Sequence, residues 1–285
     1  MPQNIDMKTL FTVLSLLTLQ LLSAQEEVYA NGIFNFEENK ARRIFTSGTR
    51  IRRSPGVDAP VLDSLQANQP IMVLKKEEMV LKLGERVANW YKISYLKNDR
   101  NAEGYVWGGN LCIGYRNKNG YDFLLGLTKT VYKKDPKFQG EDIPQNIAAV
   151  KMMEGNTVLD EVSFETGSGE SLSYGSFSIE SGHRLENVDF TVKATVSGEA
   201  CGIPGYDQYI LFTGKKLIAL PQLMSVGDAD VYYHHEEFIF PNDKGGIPGA
   251  FIYKMEEMEK DEKDREKKKK ASKTYLWDGT AYRLR

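Results

Sequence analysis

One stretch, residues 46–112, constrains the fold of this chain more than any other. It contains several short runs of alternating apolar residues, and Gly, Pro, Asn or Asp separates each run from the next. This spacing is typical of the strands of a small all-β barrel. Arg50 and Arg52 flank Ile51, as expected of a strand with one face in water. The predicted barrel core contains Val61, Leu65, Ile71, Val73, Trp90, Ile93, Tyr95 and Val106.

Four motifs follow one another within this stretch. They are I-R-R-S-P-G (51–56), A-P-V-L (59–62), W-Y-K-I (90–93) and G-Y-V-W (104–107), the last followed by Leu111. With these motifs, residues 43–114 resemble the bacterial SH3 domain family (SH3b). The resemblance implies a binding module rather than a catalyst. It also implies an exported bacterial protein, because such domains usually occur in exported proteins and several bind cell-wall peptides.

One segment departs from the family pattern. Residues 75–88 form a charged insertion before Trp90, the first residue of the W-Y-K-I motif. We expect this insertion to be a loop longer than the family usually carries. The geometry of any groove beside this segment is therefore left open by the resemblance.

Length and composition exclude several classes of protein. The 285 residues suffice for two domains after removal of a leader. A formal net charge of −2 provides no basic field for nucleic acid. Aromatic residues make up 11% of the chain and glycines number 25, which favours short strands and turns. The two cysteines are too few for a disulfide-dense scaffold.

The first 24 residues have the organisation of a signal peptide. Lys8 supplies a positive charge, residues 10–22 are apolar and uncharged, and Ser23 and Ala24 precede the expected cleavage point. A transmembrane anchor is the alternative, but this apolar run is well short of the ~20 residues that span a bilayer. We therefore expect cleavage after Ala24, a periplasmic or secreted protein, and no stable membrane insertion.

Two further regions flank the predicted barrel. Residues 25–42 are polar and are predicted to be a loose linker or a short helix, in which Ile33, Phe34 and Phe36 pack onto the barrel. Residues 115–285 alternate between apolar runs and turns, which predicts a larger all-β domain, either a sandwich or a meander.

Residues 254–273 form the one stretch with a helical pattern. The pairs Glu256/Lys260 and Glu259/Lys263 have i,i+4 spacing with the acid first, which favours a helix. The segment is polar nearly all round, so we predict a charged, solvated helical excursion between two strands. Contact of the lysine run 267–270 with an anionic surface is an alternative, although the acids of the same segment argue against it.

Two clusters carry residue types used in catalysis or metal binding. Residues 228–237 are rich in Asp, His and Glu, but His234 and His235 would point to opposite faces of a strand, so no metal site is predicted. Cys201 precedes both histidines, and cell-wall cysteine peptidases are often fused to bacterial SH3 domains. Its surroundings lack the Asp-Cys-Ser-Gly form of those enzymes, and Pro204 does not suit the helix that their nucleophile heads.

The thiols of Cys112 and Cys201 are predicted to be free and unreactive. Export to an oxidising compartment would permit a bridge between them, and the bridge is the alternative. Cys112 lies in the apolar run 111–113, where a buried cysteine acts as a small hydrophobic residue.

Aromatic residues of the barrel are the best candidates for ligand contacts. Flat rings bind sugars and peptides by face contact at low cost in conformational entropy. Strand alternation predicts that about half of the barrel aromatics are buried. Tyr91 and Trp107 are predicted to be the exposed pair, and Tyr105 is the third predicted ligand-binding residue.

The sequence thus predicts an exported, non-catalytic binding or adaptor protein of the bacterial cell envelope. Its SH3-like domain would bind peptidoglycan peptides or another envelope protein, without a cofactor. One alternative is a cell-envelope hydrolase that uses Cys201 with His234 or His235. Another is a carbohydrate-binding protein.

Overall fold

A computed structural model describes residues 29–134, 142–169 and 171–285, in which the regular structure is almost entirely antiparallel β-sheet. The helical pieces among these residues are two 3₁₀ turns, Gly32–Phe34 and Gly108–Asn110. The predicted signal peptide lies outside the described residues. The expected mainly β class is confirmed.

The first sheet forms the SH3-like barrel. Its hydrogen-bonded order is β1-β4-β5-β6-β2-β3. The strands are β1 (Ala41–Arg43), β2 (Thr49–Arg52), β3 (Val61–Leu65), β4 (Pro70–Leu83), β5 (Arg86–Lys97) and β6 (Arg100–Trp107). Seven of the eight predicted core residues are buried. Val61 is the exception, with 49% of its surface exposed, because it begins the edge strand β3.

The segment before the barrel is not a loose linker over its described part. Ile33, Phe34 and Phe36 are buried against the barrel, as predicted. Asn31 extends the contact, since its N–H donates to the Val87 carbonyl (2.8 Å) and its side chain accepts from the Val87 N–H (2.7 Å). The 3₁₀ turn at Gly32–Phe34 and the residues around it therefore cover part of the barrel, and apolar burial stabilises this contact.

The charged insertion before the W-Y-K-I motif is also not a loop. Residues 75–83 continue β4 and residues 86–88 begin β5, so the two strands form one long hairpin. Register shifts between Lys76 and Val80 mark a bulge in β4. The bulge accommodates the additional residues, since a bulged strand can bend without losing its partner.

The rest of the chain forms two further sheets. The four-stranded sheet, in the order β10-β9-β8-β7, contains β7 (Gly114–Lys118), β8 (Tyr121–Lys134), β9 (Asp142–Glu154) and β10 (Thr157–Thr166). The nine-stranded sheet contains β11 (Leu172–Ser181), β12 (Phe190–Gly198), β13 (Gly205–Phe212), β14 (Leu217–Ala219), β15 (Leu223–Asp228), β16 (Tyr232–Ile239), β17 (Ala250–Lys260), β18 (Glu266–Trp277) and β19 (Tyr282–Leu284).

Part of this region is a β-sandwich. Phe123 of β8 contacts Phe190 of β12 and Phe212 of β13, with ring centroids 5.6 and 6.1 Å apart. On the opposite face of β8, Leu124 packs in a cluster with Phe45, which lies between the barrel strands β1 and β2. The central part of strand β8 is thus buried on both faces, between the nine-stranded sheet and the segment that joins β1 to β2.

The predicted helical excursion at residues 254–273 is wrong. These residues belong to strands β17 and β18, which pair from Ala250↔Leu276 to Lys260↔Glu266. The hairpin sets acids opposite lysines, as in Glu256↔Lys270 and Glu259↔Lys267. Cross-strand pairs of opposite charge stabilise a sheet as i,i+4 pairs stabilise a helix, so the local spacing was ambiguous.

Candidate functional site

Tyr91, predicted to be exposed, is fully buried. Its hydroxyl donates to the Phe34 carbonyl (2.7 Å) and accepts from the Phe36 N–H (3.2 Å). Burial raises the pKa of Tyr91 above its ordinary value. Tyr91 lies on the same face of β5 as Ile93, which faces the core, so the prediction of an exposed ring is corrected. The tyrosine ties the N-terminal segment to the barrel.

Trp107 is also buried, with 3% of its surface exposed. Its Nε1–H donates to the carbonyls of Leu81 and Ala88, each at 3.1 Å. The guanidinium of Arg86 lies 5.3 Å from its ring centroid, and the ring of Phe34 lies 6.4 Å away. The alternation of residues along β6 did not predict this burial, because Phe34 and Arg86, which are distant from Trp107 in sequence, cover this end of the strand. The prediction that Trp107 is exposed is therefore wrong.

Tyr105 is the predicted site residue that does face the barrel surface. It is half-buried and pairs directly with Lys92 of β5 and with Arg52 of β2. Lys92 in turn pairs with Lys75 of β4. Directly opposite residues share one face of a sheet. We call this row of Lys75, Lys92, Tyr105 and Arg52 the Tyr105 face.

Charged groups on the Tyr105 face are partly paired. Lys92 Nζ contacts Glu103 (2.6 Å), and the hydrogen bond and charge of this carboxylate raise the pKa of Lys92. Lys75 Nζ contacts Glu77 at 3.2 Å. These ion pairs are exposed and exchange readily with water, so they cost a ligand little to replace. The Tyr105 face therefore combines one aromatic ring with positively charged hydrogen-bond donors and, beside them, the carboxylate acceptors of Glu77 and Glu103.

A groove adjoins the lysine end of this face. Its volume is about 510 Å³, and it lies between Pro55 and the bulged part of β4 that ends at Met79. The side chain of Met79, which lines the groove, is about half exposed. Pro55 belongs to the loop 53–60, which joins β2 to β3. Arg52 fixes this loop, because its guanidinium group donates to the Ala59 carbonyl at 2.6 Å. Pro55 and Met79 therefore place an apolar surface next to the charged and aromatic side chains of the Tyr105 face.

The cluster at residues 228–237 lies on β15, β16 and the turn between them. His234 and His235 face opposite sides of strand β16, as predicted from alternation. His235 Nδ1 contacts the Ser225 hydroxyl at 3.0 Å. Within the described ranges, no group of three or more His, Cys, Asp or Glu side chains could hold a metal ion.

Both ring nitrogens of His234 contact carboxylates. Nε2 lies 3.0 Å from Glu236 and Nδ1 lies 3.0 Å from Glu257, while the Tyr253 hydroxyl donates to Glu236 at 2.6 Å. Burial alone would lower the pKa of His234, but the hydrogen bonds and charges of the two glutamates outweigh it and raise the pKa. His234 thus belongs to a closed polar network that links β16 to β17.

The cysteines are both free, as predicted. Cys112 is buried, and burial raises the pKa of its thiol. Cys201 is exposed in a turn, where the neighbouring Gly202 N–H donates to the Gly227 carbonyl at 2.9 Å. Among the residues that the structure describes, neither His234 nor His235 bonds to Cys201.

The comparison with protein families identifies most of the barrel, from β2 to β6. Residues 47–111 match the family model of the bacterial SH3 domain, and no family model matches the region after it. Searches of curated proteins and of solved structures found no match. Neither 3₁₀ turn in the described ranges approaches the length and apolarity needed to cross a membrane. Residues 47–111 are therefore a bacterial SH3 domain, a type of binding module that often occurs in cell-wall-associated proteins.

Proposed function

We propose that this protein is an exported, non-catalytic binding protein of the bacterial cell envelope. Its SH3 domain takes a peptidoglycan peptide, or an extended segment of another envelope protein, on the Tyr105 face. The observation that carries the proposal is the position of Tyr105. It is the one predicted site aromatic that reaches the surface, and it lies in a row with Lys75, Lys92 and Arg52.

Wall peptides have chemistry that suits this face. They are short and carry both carboxylates and amines, which the lysines, Arg52 and the acids Glu77 and Glu103 can pair in either orientation. Tyr105 supplies a rigid ring for contact with peptide side chains. The groove at Met79 extends the apolar contact beyond the row.

Co-sedimentation with purified cell-wall sacculi tests this proposal. We expect the protein to sediment with sacculi and to be released by soluble wall peptides. Tyr105→Ala should reduce the bound fraction, whereas Tyr132→Ala should not, since Tyr132 is an exposed tyrosine outside the SH3 domain. Retention of full binding by Tyr105→Ala would contradict the proposed site. Capture of a protein from envelope extracts, without binding to sacculi, would select the envelope-protein ligand.

Export is proposed from the sequence of residues 1–24. The short uncharged apolar run and the small residues Ser23 and Ala24 support cleavage before Gln25. Mass analysis of the N-terminus of protein recovered from the periplasm or medium should give Gln25. Retention of Met1 or Met7 would contradict the proposed cleavage.

We propose that the protein does not use Cys201 as a nucleophile. A thiolate nucleophile needs an imidazole within hydrogen-bonding reach, whereas His234 is engaged by two carboxylates and His235 by Ser225. Incubation of sacculi with the protein should release no soluble fragments. Release of fragments that stops when Cys201 is alkylated would instead support the hydrolase.

Carbohydrate binding is a second candidate, favoured by a groove in the nine-stranded sheet. The groove has a volume of about 480 Å³ and is lined by Tyr206, Tyr233, Asp207 and His235, among others. It opens where β13 changes partner, from β14 to β15. Aromatic rings beside polar groups suit sugars. Soluble glycan strands from the wall should then bind in a manner that Tyr233→Ala weakens and Tyr105→Ala does not.

A further inference from the structure

A cavity of about 340 Å³ lies where the three sheets meet, and Pro70 is the one lining residue that falls within the segment that matches the SH3 family. Strand β1 contributes Arg42 and Arg43, β7 contributes Tyr115 and Arg116, and β11 contributes Tyr174. Three guanidinium groups line this cavity, and no carboxylate lines it. We call it the junction cavity.

Arg42 lacks a partner for its charge. Its Nε–H is buried without a hydrogen-bond acceptor. Its guanidinium carbon lies 5.5 Å from the ring centroid of Phe36, and among the described residues it has no carboxylate or hydrogen-bond partner. A buried donor without an acceptor is unfavourable, so a ligand that supplies an acceptor in the cavity would be stabilised there.

Arg116 is likewise without an acid partner among the described residues. Its Nη1 donates to the Tyr115 carbonyl at 2.7 Å, which leaves its other donors available. Burial raises the pKa of the Tyr174 phenol, and the charges of Arg116 and Arg42 act in the opposite direction. Arg42, Arg116 and Tyr174 all line the junction cavity.

Arg43 is held in place and partly neutralised. Its guanidinium stacks 4.4 Å from the ring centroid of Tyr115 and donates to that hydroxyl (3.1 Å) and to the Asn68 carbonyl (2.8 Å). The Tyr115 hydroxyl in turn donates to Asp122 at 2.7 Å. Asp122 therefore offsets the charge of Arg43, while Arg42 and Arg116 remain uncompensated.

We propose that the junction cavity binds a small anion that carries a carboxylate or phosphate group. Arg42 and Arg116 would hold the anionic group, because guanidinium groups match the planar or tetrahedral oxygens of such groups with paired N–H donors. Tyr115 and Tyr174 would form walls for the remainder of the ligand. The volume is near the lower end for ligand pockets, which limits the ligand to a small molecule.

Isothermal titration of the purified protein with inorganic phosphate and, separately, with succinate tests the proposal at low ionic strength. We expect saturable binding of at least one anion, and the comparison of the two decides between phosphate and carboxylate ligands. Arg42→Gln and Arg116→Gln should each weaken that binding about tenfold or more, because each removes charged hydrogen bonds. Arg100→Gln, an exposed arginine away from the cavity, should leave it within about twofold.

Three results would overturn this site. They are the absence of saturable binding for both anions into the millimolar range, unchanged affinity in both cavity variants, and an equal loss in Arg100→Gln. If Arg42→Gln lowers the yield of folded protein, Arg116→Gln still tests the site. Arg116 is exposed, so its replacement by Gln disturbs little packing. Binding should also raise the melting temperature of the parent protein and not of the two cavity variants.

Discussion

The SH3 barrel and the β17–β18 hairpin are both antiparallel, but they differ in the side-chain contacts between their strands. In the barrel, Trp90, Tyr91 and Trp107 are buried, and the last two place their polar atoms on backbone partners. In the hairpin, solvent-accessible pairs such as Glu256–Lys270 connect the strands. Most aromatic residues of the barrel therefore stabilise the fold, whereas the exposed charge pairs of the hairpin contribute little to stability.

The largest effect should come from the barrel core. Trp90→Ala should lower the free energy of unfolding by about 3–5 kcal/mol, because it removes a large buried side chain and leaves a cavity. That is a large part of the roughly 5–15 kcal/mol typical of a native domain. Denaturant titration measures the change. Leu96→Ala on the same strand is the control, since Leu96 is exposed. A loss at Trp90 as small as that at Leu96 would contradict a buried core position.

The next effect tests the packing of the barrel against the rest of the chain. A Cβ at Gly126 of β8 would lie 2.5 Å from the ring of Phe45, so Gly126→Ala should cost about 1–3 kcal/mol through overpacking. Gly227→Ala is the matched control, because a Cβ there meets no atom within 4 Å. Equal stability of the two variants in thermal unfolding would show that β8 is not packed tightly against Phe45.

A pH-dependent effect distinguishes the His234 network from the exposed hairpin pairs. The folded pKa of His234 is raised, so its protonated form stabilises the fold below the unfolded pKa of about 6.5, and this stabilisation is lost as pH rises through the folded pKa. The hydrogen bond from His234 lowers the pKa of Glu257, which keeps that partner ionised in the same window.

His234→Gln should therefore cost about 1–3 kcal/mol near pH 6, and less at alkaline pH. The exposed neighbour His235→Gln should change stability by about 0.5 kcal/mol or less throughout. Urea titrations across the pH range measure both variants. A loss at His234→Gln that grows with increasing pH would contradict the assigned network.

The smallest effect should come from the hairpin. Glu256→Gln and Lys270→Gln remove one exposed ion pair, and neither should change the melting temperature measurably. The double variant should match the singles. A marked loss in either single variant, restored in the double variant, would show that charge pairs hold the hairpin together after all.

Sequence patterns predicted the barrel core well, because the burial of most core residues follows from their position within their own strand. Residues such as Ile71, Val73 and Ile93 alternate along β4 and β5, and the same alternation decides their burial. Alternation failed at Trp107, because Phe34 and Arg86 cover the end of β6. A burial that depends on a segment distant along the chain leaves no mark in the periodicity of the strand itself.

The hairpin could have been predicted from a different reading of the same charges. Acids at 256, 257 and 259 precede a turn, and lysines at 267, 269 and 270 follow it in mirrored order. The turn is fixed by Asp261, which accepts from the N–H groups of Lys263 (2.8 Å) and Arg265 (3.1 Å). A mirrored charge order about a turn indicates pairing between two strands, whereas i,i+4 spacing relates charges within one continuous segment only.

Tyr91 holds the N-terminal segment on the barrel, whereas Tyr105 is proposed to contact the ligand, and a paired measurement tests this difference directly. Tyr91→Phe removes two buried hydrogen bonds and should lower the free energy of unfolding by about 1–3 kcal/mol, with unchanged affinity for sacculi below its melting temperature. Tyr105→Ala should lose affinity for sacculi and retain most of its stability. Lost affinity in folded Tyr91→Phe, with full affinity in Tyr105→Ala, would contradict the account.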